Sequence, residues 1–186
     1  MKKFLALVLS IVCILSFAAC SRPAGTPNTP VSNEIGPAHA NEYLTEFFSS
    51  YTQMSEYISR EDLALSSYTL LGADLKSLLK ASYQAQSVTY TFDVPVEISD
   101  NTFSCDVVIE APDMNMLYEA YLIDTAIDPE ADLVNSFYAN INAGATTSVK
   151  SDTVTLTLTY TDGTWNIASN NALVYGIFPN LDMINA

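Results

Sequence analysis

Residues 153–167 read TVTLTLTYTDGTWNI, and no other stretch restricts the fold so sharply. Val154, Leu156, Leu158 and Tyr160 alternate with threonines, the period of a strand with one buried face. Asp162-Gly163 follows, a two-residue hairpin turn whose positions both need positive φ. Closing on that turn pairs Tyr160 with Trp165 and Leu158 with Ile167, so all four fall on the apolar face. Pattern and turn agree on one register. The threonines face the other way, toward solvent or a second layer.

A second hairpin is expected upstream, in VTYTFDVPVEISDNTFSCDVVIEA, residues 88–111. Val88, Tyr90, Phe92, Val94, Val96 and Ile98 alternate, as do Phe103, Cys105, Val107 and Ile109. Treated as one unbroken strand, 88–98 pairs Ile98 with Phe103, Val96 with Cys105 and Val94 with Val107. Pro95 has no N–H to give, so a two-residue Asp100-Asn101 turn would put it at a hydrogen-bonded site. A four-residue Ser99–Thr102 loop avoids that conflict and leaves 88–98 near a sheet edge. Cys105 then faces the core beside Val96 as a small hydrophobe. Asp93 and Asp106 fall on the opposite, solvated face.

Helical spacing fills the rest. Leu44, Phe47, Phe48, Tyr51, Met54 and Ile58 recur at three and four, a single stripe over 41–59 that reads as core, with Tyr43 beside it. Ser59 and Asp62 have the spacing of a capping box. A further helix runs near 73–83 on Leu75, Leu78, Leu79 and Tyr83. Asp113 caps a helix carrying Met114, Leu117, Tyr118 and Tyr121. Asp128-Pro129-Glu130 reads as the start of another, burying Leu133, Val134, Phe137, Tyr138 and Ile141 and ending at Gly144. Asn171–Phe178 is a strand or a short helix, stopped by Pro179. Two helices, a hairpin, two helices and a hairpin make an α+β domain, with helices on one face of a curved antiparallel sheet.

The N-terminus has export grammar. Lys2 and Lys3 precede an apolar run, Phe4–Phe17, too short to span a bilayer. Phe17-Ala18-Ala19-Cys20 resembles the bacterial lipobox, with Phe17 where Leu is usual. That assigns 1–19 to a lipoprotein signal peptide and makes Cys20 the lipidation site, anchored to a membrane and facing outside the cytoplasm. Two acyl chains hold far better than one. Ser21–Ala40 is Pro-rich without apolar period, so 20–40 reads as lipidated cysteine and linker, and 41–186 as the single domain.

Charge and residue supply exclude several chemistries. Without Lys2 and Lys3, five basic residues face 21 acidic ones, a net charge of −16 that disfavours nucleic acid and anionic lipid. His39 is the only histidine and falls in the linker, so Ser-His-Asp, Cys-His and histidine-zinc sites are not available in the domain. No glycine-rich phosphate loop occurs. Asp128, Glu130 and Asp132 bunch carboxylates, but as a helix start rather than a calcium loop. No cofactor and no metal are expected.

The helix-first layout and the closing strand, Asp162-Gly163, Thr164-Trp165-Asn166-Ile167, resemble the nuclear-transport-factor-two-like superfamily, which includes bacterial lipoproteins. The interposed helices at 113–143 depart from its simplest pattern. The resemblance implies a cone-shaped fold that often encloses an apolar pocket, where some enzymes pair an aspartate base with a tyrosine donor. No spacing here assigns such a pair to numbered positions. The expectation is therefore a lipid-anchored extracytoplasmic binding module of the cell envelope, taking a protein partner or a small apolar ligand. A metal-free acid–base enzyme is the competing reading.

Overall fold

The computed structural model describes residues 35–144 and 148–184. Two helices come first, α1 (Pro37–Ser49) and α2 (Tyr51–Ile58), where the apolar stripe suggests one. The stripe breaks at Ser50, whose extended backbone ends α1 while its hydroxyl accepts from Gln53 N–H and caps α2. Helix α1 also begins before residue 41, within the segment that the sequence assigns to the linker. Pro37 occupies the first helical position, where a missing N–H leaves nothing unsatisfied, and Ala40 is fully buried. His39 lies in this first turn and accepts from Gly36 N–H. Ser59 closes α2 rather than opening a capping box, and Asp62 receives Arg60 and Ser169 instead.

A small hairpin that periodicity does not announce follows, β1 (Thr69–Leu70) with β2 (Ala73–Asp74), turning on Leu71 and Gly72 at positive φ. Asp74 then accepts from Ser77 N–H at 2.8 Å and starts α3 (Leu75–Ala85), which buries Leu75, Leu78 and Leu79. Next come β3 (Thr89–Phe92), β4 (Val96–Ser99) and β5 (Thr102–Pro112), then α4 (Met114–Ile127) and α5 (Leu133–Asn142). The chain ends with β6 (Val149–Thr161), β7 (Thr164–Ile167), α6 (Asn171–Ile177) and a 3-10 turn at Leu181–Met183. This is the α+β class expected, with a curled antiparallel sheet in the manner of a half-barrel.

The closing hairpin has the register that alternation and turn dictate: Leu158 opposite Ile167 and Tyr160 opposite Trp165. The long strands β5 and β6 lie side by side at the centre of the sheet. Phe103, Cys105, Val107 and Ile109 of β5 and Val154, Leu156 and Leu158 of β6 are buried on the helical side. Each such side chain contributes about 1.5–3 kcal/mol when fully buried. Asp106, Thr153 and Thr155 are exposed on the other face, and Thr155 Oγ1 donates to Asp106 Oδ1 at 2.5 Å. The tail resolves as helix α6, capped by Asn170 and pressed against the middle of the sheet, with Gly176 over Ile109.

One helix start moves. α4 runs on to Ile127 and Asp128 closes it; α5 begins at Leu133 under Asp132, whose carboxylate accepts from Asn135 N–H. The Asp128 carboxylate accepts from Glu130 N–H, so Asp128–Asp132 is the loop between helices. Phe137 is buried as expected, whereas Tyr138 is exposed.

Candidate functional site

The first hairpin differs most from its sequence reading, and the difference creates a surface. Pro95 does not sit in a continuous strand. It leaves the ladder together with Asp93 and Val94 and divides the strand into β3 and β4. β3 pairs Tyr90 with Ile109 and Phe92 with Val107, while β4 pairs Val96 with Ser104 and Glu97 with Phe103. Neither half keeps the expected pairing of Val96 with Cys105. A further shift lies between Glu97 and Ser99, so Ser99 faces Thr102 across the two-residue Asp100-Asn101 turn, with Asn101 at φ 54°. The four-residue loop is therefore not used. Removing proline from the ladder answers its missing N–H without lengthening the turn.

The slip turns side chains over, because strands alternate with a period of two. Val96 shares the face of Ser104 and Asp106 instead of the core. Val94, Val96 and Ile98 are 60%, 65% and 60% exposed. With Asp93, Ser104, Cys105 and Asp106 they line a shallow groove of about 400 Å³. β4 has a strand on one side only, β5, so its outer margin is a sheet edge. The opposite margin is covered differently. Arg60 donates to the Ile167 carbonyl at 2.6 Å and Tyr57 to the Ala168 carbonyl at 3.0 Å. Among the described residues no side chain from another element does this for β4.

Cys105 remains on the core face, as expected, but its neighbour is Asp93 rather than Val96. Its Sγ donates to the Asp93 carbonyl at 3.2 Å. Burial, then the charges of Asp106 and Asp93, push the thiol up to about 11. A thiol so placed is a poor nucleophile. Asp93 and Asp106 are exposed, as expected, but they line the groove together with Val94 and Val96 rather than on the face opposite them.

Acid–base chemistry would need a buried carboxylate near a phenol. Asp113 is the buried carboxylate among the described residues, and its oxygens are taken. Oδ1 accepts from Asn115 N–H and from Asn180 Nδ2, both at 3.0 Å, and Lys150 Nζ stands 3.5 Å from Oδ2. It caps α4. No tyrosine hydroxyl is among its hydrogen-bond partners. Tyr90 stacks on Phe48 with centroids 4.3 Å apart, and its buried Oη has no hydrogen-bond partner. Burial raises its pKa well above the ordinary tyrosine value. The cleft of about 290 Å³ beside it, between α1, α3 and β3, is walled by Phe48, Tyr83, Val88 and Gln86, and no carboxylate lines it.

Phe47 and Phe48 of the N-terminal stripe are buried in the core, and Tyr43 and Tyr51 pack partly buried against it. Asp128, Glu130 and Asp132 line a surface groove beside α4 and α5, and no group of three metal-ligating side chains is found among the described residues. Leu122, Ile123 and Ile127 make a second exposed apolar surface along the end of α4. No described helix is long and apolar enough to cross a membrane. Cys20, with the leader and most of the linker, lies outside the described residues.

No family model matches the chain, and neither the curated proteins nor the solved structures contain a match. Val94, Val96 and Ile98 pass for core by alternation, and Pro95 in their midst is the signal that the alternation does not carry through.

Proposed function

We propose that this protein is a lipid-anchored, extracytoplasmic binding module of the bacterial cell envelope, and that it docks a protein partner along the β3–β4 edge. The observation that carries the reading is Val96 and Ile98 standing exposed on β4, a strand that pairs on one side only, with Val94 exposed beside them in the break before it. Such an edge offers unpaired backbone groups and apolar side chains together, the two things an added strand needs. The helix-first order and curled sheet support a nuclear-transport-factor-two-like scaffold. The MKK leader and Phe17-Ala18-Ala19-Cys20 support the anchor.

Anchoring is tested by Cys20→Ser and membrane fractionation of the native host; unchanged retention in the membrane pellet counts against it. Docking is tested with a photocrosslinking residue at position 96 in intact cells, followed by reconstitution of the captured protein with the purified full chain. The expected partner binds the parent and loses most of its affinity for a Val96→Lys, Ile98→Lys variant. Equal affinity for both would remove the edge from the proposal.

A further inference from the structure

The edge has a charge as well as a shape. Between Lys80 and Lys150 the sequence holds no lysine or arginine, while Asp93, Glu97, Asp100, Asp106 and Glu110 all lie on β3, β4, β5 or the turns joining them. Along Asp93-Val94-Pro95-Val96-Glu97-Ile98-Ser99-Asp100, acids and apolar residues interleave. Asp93 and Asp106 line the same groove as Val94, Val96 and Ile98. Natural sheets commonly guard an exposed edge with lysine or with an inward charge. β6 carries Lys150 near its start, but β4 has no basic residue.

These facts restrict the occupant. A second copy would bring the same acids against these, and like charges placed across an interface cost affinity and association rate. An anionic surface is disfavoured in the same way. What complements the edge is an extended chain with apolar side chains for the groove and cations for its rim. Resting on the reading that β4 is the docking edge, we propose that its partner is a cationic extended segment, with lysine or arginine alternating with apolar residues, added as a strand beside β4. Backbone pairing supplies affinity, the valine and isoleucine surface sets register, and the acids select the sign of charge. Pro95 limits the added strand to the β4 half of the edge, because beyond it the ladder is interrupted.

The test uses the full-length chain in neutral detergent micelles with four synthetic peptides. They are alternating lysine–valine, the same residues in two blocks, alternating glutamate–valine, and alternating threonine–valine. Binding is read by titration and located by amide hydrogen exchange. The expected result is that the lysine–valine peptide protects residues 94–100, binds roughly tenfold or more tighter than the block peptide, and weakens with salt. Val96→Lys with Ile98→Lys should abolish that protection. A block peptide that binds equally well would reduce the effect to bulk charge attraction and overturn the proposal. Protection of 94–100 by threonine–valine as strong as by lysine–valine would leave the docking edge standing and refute its cationic preference. No protection of 94–100 by any of the four would overturn both.

Discussion

Gly176→Ala tests whether α6 is seated against the sheet as closely as the structure places it. A Cβ at position 176 would lie 2.8 Å from Ile109 Cδ1, with Val154 Cγ2 at 3.6 Å. Taken alone, alanine favours a helix over glycine by at most about 1 kcal/mol. The intruded atom is the terminal methyl of Ile109, which can turn away, but the residue is fully buried, so the turn crowds its core neighbours, and overpacking of this kind costs roughly 1–3 kcal/mol. Overpacking less the helix gain leaves the variant with a net loss of up to about 2 kcal/mol. For a domain of this size that is roughly 2–4 °C in Tm for each kcal/mol. Ile109→Val removes the Cδ1 methyl and by itself costs about 0.5–1.5 kcal/mol. The two changes should therefore not add: in the double variant the alanine occupies the vacated space, with a favourable coupling on the order of 1 kcal/mol. Urea unfolding followed by Trp165, the only tryptophan, measures all four proteins, since that ring packs on Tyr43 and Phe103. A Gly176→Ala protein more stable than its parent, or strictly additive changes, would refute the close packing.

Asp113→Ala removes a buried cap bonded by Asn115 and Asn180 and should cost about 2 kcal/mol or more in denaturant melts. Asp74 is held below the ordinary carboxylate range by hydrogen bonds from Ser77, and Asp62 by Ser169 and then Arg60. Depressed carboxylates stabilise the fold above their unfolded pKa near ~4 and lose that contribution as pH falls through the lower folded value, so acid melts of Asp74→Asn should lack part of this decline. Cys105 should resist iodoacetamide near neutral pH in the folded chain and react faster as pH approaches about 11, read by intact mass. Val96→Lys, on an exposed position, should change the unfolding free energy in denaturant melts by no more than about 0.5 kcal/mol, which separates its effect on docking from any effect on folding.

Local chemistry written in neighbouring residues was sufficient for much of this protein. The Asp162-Gly163 turn and the alternation around it determined the closing hairpin to the residue, because turn geometry and apolar face admit one register. The helices α3, α4 and α5, the Asp113 cap, the buried stripe at Phe47 and Phe48 and the core-facing side of Cys105 followed from the same short-range rules. Only the tertiary structure decided where α1 breaks, since Ser50 can continue a stripe or cap a new helix. It also seated α6 on the sheet and laid β5 beside β6, pairings between segments far apart in the chain. The docking edge belongs to this second kind. Alternation through Val94, Val96 and Ile98 is a statement about a straight strand, and whether it holds depends on how Pro95 is accommodated beside the ladder. By leaving the ladder, the proline reverses Val96 and turns what reads as core into exposed surface.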